Sequence, residues 1–127
     1  MKILISDAFD PSLPDVLRKY GEVTSSKDDL ADADVILVRS KTKCTREYID
    51  QAKKARLIIR GGVGLDNIDI KYAKEKGIEV HNTAEASSIA VAELAFAMMI
   101  AVPNRLVEAD ISMKEGKWLK KELKRTE

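Results

Sequence analysis

The sequence predicts an α/β protein with a five-stranded parallel sheet covered by helices, and two observations carry that prediction. Short apolar runs recur along the chain, and a stretch with helical periodicity separates each run from the next. The runs lack the alternation of apolar and polar residues that is typical of a strand with one solvent-exposed face. Helices are therefore expected on both faces of the sheet. Because crossover connections are right-handed, few topologies remain, and we expect the flavodoxin-like strand order 2-1-3-4-5.

Five strands are predicted from these apolar runs, and four helical stretches connect them. Pro14 suits the first turn of the first helix, whose pattern ends at Tyr20, and Gly21 is expected to stop it. Gly77 is expected to end the fourth helix in the same way. The strands are expected at 2–6, 22–25, 34–38, 57–60 and 78–81, and the last three helices from 26, at 45–54 and at 68–76.

After the fifth strand the sequence contains an almost entirely apolar stretch. Residues 89–102 form a helical stretch whose only polar residue is Glu93, Pro103 ends it, and a second helix begins near Asn104. A helix that is apolar all round is expected to be buried all round. It would be about 21 Å long, too short for a hydrocarbon core of about 30 Å, so no membrane span is expected. We therefore predict a sheet domain at 1–85 and a helical segment at 86–127.

The composition favours a cytoplasmic protein that binds neither nucleic acid nor membrane. Twenty-two basic and 21 acidic residues leave a formal net charge of +1, which offers a polyanion no electrostatic attraction. Cys44 is the sole cysteine, so an internal disulfide is impossible, and we expect an inert thiol in a reducing compartment. The N-terminus begins a strand at once and lacks the apolar stretch of a signal peptide. Abundant Lys and Glu with a single Gln suit a heat-loving source.

The strongest local motif is the segment 60–69, RGGVGLDNID, which lies between a strand and a helix. Its three glycines let backbone amides turn toward a ligand, and the helix N-terminus that follows favours an anion. A tight turn capped by Asp66 or Asn67 explains the glycine spacing equally well. The segment is not a dinucleotide fingerprint, because Asn67 stands where the third glycine belongs.

A basic motif follows the third strand. Arg39 offers a guanidinium fork suited to a carboxylate or phosphate, Ser40 and Thr42 add hydroxyl donors, and Lys41 adds charge. The predicted strand order places this motif beside the glycine-rich one, at the sheet edge where α/β proteins bind ligands. A solvated basic turn is the alternative.

Two further titratable residues are better explained by structural roles. His81 is the only histidine, and the sequence places no carboxylate to orient it. Glu93, in its apolar helix, would be a buried acid that needs a partner, and a paired structural acid is favoured over a general base. No metal site is predicted.

Four ordered motifs resemble the D-isomer-specific 2-hydroxyacid dehydrogenases over nearly the whole chain. They are VRSKT at 38–42, RGGVGLDNID at 60–69, NT at 82–83 leading to VAEL at 91–94, and SMKEGKW at 112–118. The last motif looks most like the phosphoglycerate dehydrogenases within that family. The segment after Asn82 departs from a common Asn-Thr-Pro-x-x-Asn pattern, since Ala84 and Ser87 replace Pro and Asn.

The resemblance implies a flavodoxin-like substrate-binding domain that orients a small anion, a 2-hydroxyacid or its phosphate ester. Arg60 and the amides of Gly61 and Gly62 would face the substrate carboxylate or its surroundings. Arg39, with Ser40 and Thr42 nearby, would meet the phosphate of 3-phosphoglycerate. Val63 and Gly64 would border the nicotinamide side of the cleft. The implied parent reaction is NAD-dependent oxidation of a D-2-hydroxyacid, 3-phosphoglycerate at the entry to serine synthesis.

The family's Gly-x-Gly-x-x-Gly loop and its catalytic arginine, glutamate and histidine do not occur in these 127 residues. We expect them to follow Glu127 in a longer parent, which makes this chain a truncated piece without catalytic residues. The resemblance places NAD in the parent enzyme, and we expect no tight NAD binding by this chain alone. In the family, the C-terminal helices pack against the cofactor domain and a partner subunit, so we expect a homodimer through residues 86–118.

Two rival functions use the same predicted fold. One is a stand-alone anion-binding or assembly module. The other is a phosphoacceptor receiver domain, which needs an acid after strand one and an aspartate at the end of strand three. Asp7 meets the first requirement, but Arg39 and Ser40 stand at the second position and carry the wrong charge.

Overall fold

A computed structural model describes residues 1–124 of the chain. The chain divides into two compact units, one of residues Met1–Ser87 and one that begins at Ser88. The last three residues of the predicted helical segment, 86–127, lie outside the described residues.

The first unit contains the predicted parallel sheet. Its strands lie in the order β2-β1-β3-β4-β5, and every neighbouring pair is parallel, which confirms the predicted topology. The carboxyl ends of β3 and β4 are in register, with Val38 opposite Arg60. The strands are β1 Lys2–Ile5, β2 Glu22–Thr24, β3 Val35–Val38, β4 Leu57–Arg60 and β5 Glu79–Asn82.

The connecting helices are shorter than the sequence pattern indicated. Ser26, Thr45 and Asp69 cap the second, third and fourth, each through a side-chain oxygen that accepts a backbone amide two or three residues later. The second is a 3-10 helix rather than an α-helix, as suits a short run rich in Asp. The four are α1 Leu13–Leu17, the 3-10 helix Lys27–Asp32, α2 Arg46–Gln51 and α3 Ile70–Glu75.

Two glycines were predicted to end helices, and only one of them does so. Gly77 has a φ of 76° and follows α3, which confirms its predicted role as a stop. Gly21 was expected to stop α1, but that helix already ends at Leu17. A Cβ on Gly21 would lie 2.2 Å from the Met1 carbonyl oxygen, so Gly21 instead permits the close approach of β2 to the N-terminus.

The core of the first unit lies between the sheet and the helices α2 and α3. Leu4, Ile36, Val38 and Ile58 are almost completely buried and come from three adjacent strands. Each such side chain contributes about 1.5–3 kcal/mol by leaving water, so the apolar runs that predicted the strands also hold them together. Helix-borne partners in the same cluster are Leu30, Ile49, Ala52 and Ala73.

The second unit is built on two helices. Helix α4 spans Glu85–Ala101 and begins earlier than the predicted Ile89, and α5 spans Leu106–Lys114. Arg105 joins them with a left-handed φ of 51°. No single helix among the described residues is long and apolar enough to cross a membrane. Only α4 and α5 together, bent by 68°, reach that length and composition.

The predicted burial of α4 on every side is wrong for this chain. None of its residues is buried, and Ile89, Phe96 and Met99 are 75%, 66% and 71% exposed. Glu93 is exposed as well, so it is not the buried acid that the sequence suggested. The described residues 1–124 therefore leave α4 without a cover.

Candidate functional site

Two loops meet at the carboxyl ends of β3 and β4, as the strand order predicted. We call residues 39–43 the basic loop and residues 61–69 the glycine loop. The Gly61 amide donates to the Val38 carbonyl at 2.8 Å, which extends the β3–β4 pairing into the start of the glycine loop. An isolated parallel bridge between Cys44 and Ile68 joins the far ends of the two loops. The loops therefore form one connected surface.

Asn67 fastens the glycine loop to the basic loop. Its side-chain amide donates to the carbonyls of Arg39 at 2.8 Å and of Thr42 at 2.7 Å. The sequence suggested Asp66 or Asn67 as the helix cap, and that suggestion is wrong, because Asp69 caps α3 through the amide of Tyr72. Asn67 thus holds the basic loop in place from across the site.

Asp7 supports the basic loop from the end of β1. Its carboxylate accepts the Arg39 amide at 2.6 Å, the Thr42 amide at 3.1 Å and the Thr42 hydroxyl at 2.7 Å. Burial opposes ionisation of this carboxyl, but the hydrogen bonds and nearby Lys41 outweigh it, so the pKa of Asp7 lies below its ordinary value. Strand order 2-1-3 places the residue after β1 beside the turn after β3, and that signal could have identified Asp7.

The two predicted arginines approach the glycine loop from different directions. The Arg39 guanidinium donates to the Ala8 carbonyl at 3.2 Å and lies over the Phe9 ring, 5.9 Å from its centroid. The Arg60 guanidinium folds back toward Gly62, where a Cβ would come within 2.0 Å of its Nη1. Arg60 Nε is buried without a hydrogen-bond partner in the described part of the chain. Both guanidiniums thus keep donors for a ligand.

The predicted hydroxyl donors differ in availability. The Thr42 hydroxyl already donates its hydrogen to Asp7, so it can only accept from a ligand. Ser40 is exposed, and no hydrogen-bond partner lies near its hydroxyl within residues 1–124. Of the two, Ser40 alone retains a donor for an anion.

The amides of the glycine loop divide into occupied and free groups. Gly61 donates to Val38, and Gly62 donates to the Thr83 hydroxyl at 2.9 Å, so both amides are occupied within the chain. Within the described residues, the amides of Val63 and Gly64 donate no hydrogen bond, although a Cβ on Gly64 would lie 2.8 Å from Asp66 Oδ1. A ligand would therefore find free amides one step further along the loop than the sequence indicated.

The segment after β5 holds the glycine loop in this conformation. Thr83 returns its own amide to the Gly62 carbonyl at 3.2 Å, and the Asn82 side-chain amide donates to the Val63 carbonyl at 2.6 Å. The segment departs from a common family pattern only at Ala84 and Ser87. The two residues that keep the pattern are the ones that bind the loop.

A family model for the D-isomer specific 2-hydroxyacid dehydrogenase catalytic domain matches residues 3–122 of the chain. The chain belongs to this family. Hydroxypyruvate reductase of Thermotoga maritima is 44% identical over a match that covers 97% of this chain and 43% of that protein. D-3-phosphoglycerate dehydrogenase of Methanocaldococcus jannaschii is 43% identical, with 98% of this chain and 25% of that protein covered.

Solved structures of D-2-hydroxyacid dehydrogenases share the fold. D-lactate dehydrogenase of Aquifex aeolicus, complexed with NAD and lactic acid, matches with a TM-score of 0.85 and 26% identity. That match covers 98% of this chain and 41% of the solved one. The resemblance drawn from the four motifs is therefore confirmed at the level of the family. The chain spans less than half the length of each of these relatives.

Two other titratable residues of this family member, His81 and Cys44, belong to neither the basic loop nor the glycine loop. His81 lies 3.3 Å from Glu79, a neighbour on the same face of β5 that period-two alternation could have indicated. Burial raises the pKa of the Cys44 thiol to about 12, and the Asp7 charge adds to the effect, which agrees with the expected inert role. The described residues contain no group of three or more His, Cys, Asp or Glu that could hold a metal ion.

Proposed function

We propose that this chain is the substrate-binding segment of an NAD-dependent D-2-hydroxyacid dehydrogenase. The observation that carries the proposal is the surface where two loops meet, with two arginines and two free amides at the carboxyl ends of β3 and β4. Arg60, half-buried and short of a partner at Nε, supplies a charged donor for a carboxylate. The free amides of Val63 and Gly64 supply neutral donors beside it.

We further propose D-3-phosphoglycerate as the substrate, which would place the parent enzyme at the entry to serine synthesis. This substrate carries two anionic groups, and the candidate site has two arginines in separate places. Arg39 is exposed at the outer end, where a phosphate would remain partly solvated. Relatives named D-3-phosphoglycerate dehydrogenase support this choice over a substrate with one anionic group, although a relative named hydroxypyruvate reductase is equally similar.

Variants of three arginines test the proposal by isothermal calorimetry. D-3-phosphoglycerate is expected to bind the isolated chain at about millimolar Kd, worth about 4 kcal/mol. Arg60→Ala should abolish binding of both D-3-phosphoglycerate and D-glycerate. Arg39→Ala should abolish the preference for the phosphorylated ligand and leave D-glycerate binding unchanged. Arg56→Ala is the matched control, because Arg56 precedes β4 and interacts with Asp34 at the opposite edge of the sheet.

Positioning of substrate without an acid–base pair should give no turnover. We therefore propose that NAD binds chiefly to other parts of the parent protein, with Val63 and Gly64 at the border of the nicotinamide. Purified chain mixed with D-3-phosphoglycerate and NAD should form no NADH above a blank. Steady NADH formation that tracks chain concentration would overturn this part of the proposal.

We also propose that α4 is covered by a second copy of the chain, in a homodimer through residues 86–118. Ile89, Phe96 and Met99 are largely exposed. Burial of each side chain would contribute about 1.5–3 kcal/mol of hydrophobic free energy. Sedimentation at micromolar concentration should show a dimer that Phe96→Glu dissociates. Val16→Glu, an equally apolar-to-acidic change at an exposed position of α1, is the control. A monomer at every concentration would refute this assignment.

A further inference from the structure

A cavity of about 590 Å³ lies beside the basic loop, between the 3-10 helix and α2. Its wall includes Lys41, Thr42 and Lys43 of that loop but neither Arg39 nor Arg60. Leu4 and Leu30 form its apolar part. The volume falls within the range of about 300–1,000 Å³ that is typical of small-molecule pockets. This cavity therefore adjoins the candidate substrate site through Asp7, Lys41 and Thr42 but does not contain its two arginines.

The charged groups around the cavity leave a positive surplus. Three lysines line it, Lys27, Lys41 and Lys43, and none has an acidic partner within ion-pair distance in the described residues. Asp7 is the one acid in the wall, and its oxygens already accept three hydrogen bonds from the basic loop. Elsewhere in the first unit, Lys54 and Lys76 are 2.7 Å and 2.6 Å from aspartates, so unpaired lysines are not forced by a shortage of acids.

A hydroxyl pair adds a neutral donor to the cavity wall. Ser6 Oγ and Tyr48 Oη lie 3.0 Å apart, and both residues line the cavity. Two hydroxyl hydrogens serve one mutual hydrogen bond, so one hydrogen remains for a ligand. Burial raises the pKa of Tyr48, which keeps its hydroxyl protonated at neutral pH.

We propose that this cavity binds a small organic anion, a phosphate monoester or carboxylate with an apolar body. The anionic group lies among Lys27, Lys43 and the free hydroxyl hydrogen, and the apolar body contacts Leu30 and the Tyr48 ring. The proposal can be tested apart from the proposed dehydrogenase function, because the two arginines of the substrate site do not line the cavity. It requires only that the unpaired charge and the apolar wall serve the same ligand.

Amide chemical-shift titration of the whole isotope-labelled chain tests the proposal with four probes. They are phenyl phosphate, benzoate, inorganic phosphate, which lacks an apolar body, and benzyl alcohol, which lacks a charge. Phenyl phosphate or benzoate should give saturable shifts at Lys27, Leu30 and Tyr48, and the stronger of the two identifies the head group. Inorganic phosphate and benzyl alcohol should each bind at least about tenfold more weakly.

Matched lysine variants separate a built site from diffuse attraction. The double change Lys27→Gln and Lys43→Gln should weaken the preferred probe at least about tenfold. The control pair Lys53→Gln and Lys71→Gln removes the same charge away from the cavity and should change affinity less than about twofold. Arg60→Ala should leave these shifts intact, which distinguishes the cavity from the substrate site.

Four results would overturn the proposal. They are shifts that do not saturate, shifts confined to residues 60–64, equal affinity for benzyl alcohol and the anions, and equal weakening by the two lysine pairs. Inorganic phosphate that binds as tightly as phenyl phosphate would overturn the part assigned to the apolar wall.

Discussion

The two edges of the sheet use charge in opposite ways. At the amino edge, Lys2 pairs with Asp29 at 3.1 Å and its amide donates to Asp34 at 2.7 Å, while Arg56 reaches Asp34 at 3.4 Å. At the carboxyl edge, Arg46 pairs with Asp69 at 3.2 Å, but Arg39 and Arg60 have no acidic partner in the described residues. Lys and Arg side chains that form ion pairs with acids hold strand ends together. Those without an acidic partner are available to a ligand.

The edges also differ in how their loops are held. Turns at the carboxyl edge are fixed by Asp7, Asn67 and Thr83, and these side chains use their bonds on backbone groups rather than on the arginines. We call Asp7, Asn67 and Thr83 the scaffold of the site. Their hydrogen bonds leave the guanidinium donors of the two arginines free. Breaking the scaffold should lower ligand affinity through position, and breaking an amino-edge ion pair should leave affinity unchanged.

The largest effect is expected from Gly62→Ala. Gly62 has a φ of 144°, and a Cβ there would lie 2.0 Å from Arg60 Nη1. Strain of about 1–3 kcal/mol and displacement of Arg60 should lower the free energy of unfolding and abolish binding of D-3-phosphoglycerate. Gly77→Ala is the control, since Gly77 has a φ of 76° but open space around it. Equal losses of binding in both variants would contradict the assigned role of Arg60.

The next effect is expected from Asp7→Asn. The lowered pKa of Asp7 means that its stabilising contribution is present above its ordinary pKa of 3.8 and is lost as the pH falls through the lower folded value. Asparagine at this position should cost about 1–2 kcal/mol near neutral pH, because an amide accepts fewer hydrogen bonds than a carboxylate. Urea unfolding should show that the difference from the parent chain disappears in acid. A difference that persists once the pH is below the folded pKa of Asp7 would rule out the carboxylate as its source.

A similar or smaller effect is expected from Asn67→Ala, which removes two hydrogen bonds to the basic loop. Unfolding free energy should fall by about 1–2 kcal/mol and D-3-phosphoglycerate affinity by about threefold to tenfold. Asn67→Asp should be worse, because it turns an acceptor toward the two carbonyls. Asn104→Ala removes a matched amide-to-carbonyl bond, to Ile100 at 2.7 Å, and should leave affinity unchanged. Retained affinity in Asn67→Ala would show that the basic loop holds its position alone.

The smallest effect is expected at the amino edge. Lys54→Gln breaks an exposed ion pair with Asp32 and should change the unfolding free energy by less than about 0.5 kcal/mol. Ligand affinity should not change, because the pair lies at the opposite edge from the arginines. A loss of affinity comparable with that of Asn67→Ala would remove the distinction between the edges.

The strand order and the meeting of the two loops could be predicted from sequence, because both follow from apolar runs and crossover handedness. The role of Asn67 could not, since a capping amide and a loop-joining amide look alike until the register of β3 and β4 is known. Which amides of the glycine loop are free could not be predicted for the same reason. Whether Gly61 and Gly62 are free depends on Val38 and Thr83, which are distant in sequence.

The sequence pattern also could not predict where α1 ends or what packs over the apolar helix α4. Apolar periodicity extended α1 to Tyr20, but the chain leaves the helix at Leu17. The apolar pattern around α4 indicated that the helix needs a cover and did not identify the cover. Localisation in the cytoplasm and a heat-loving source remain predictions from composition.

The most direct measurement follows the backbone amides of the glycine loop during a titration with D-3-phosphoglycerate. The free amides of Val63 and Gly64 should shift most and saturate with the same Kd as calorimetry gives. The amides of Gly61 and Gly62 should shift less, because Val38 and Thr83 already accept them. Amino-edge amides such as that of Arg56 should not shift. Larger shifts at Arg56 than at Val63 and Gly64 would contradict the assignment of the substrate site to the carboxyl edge.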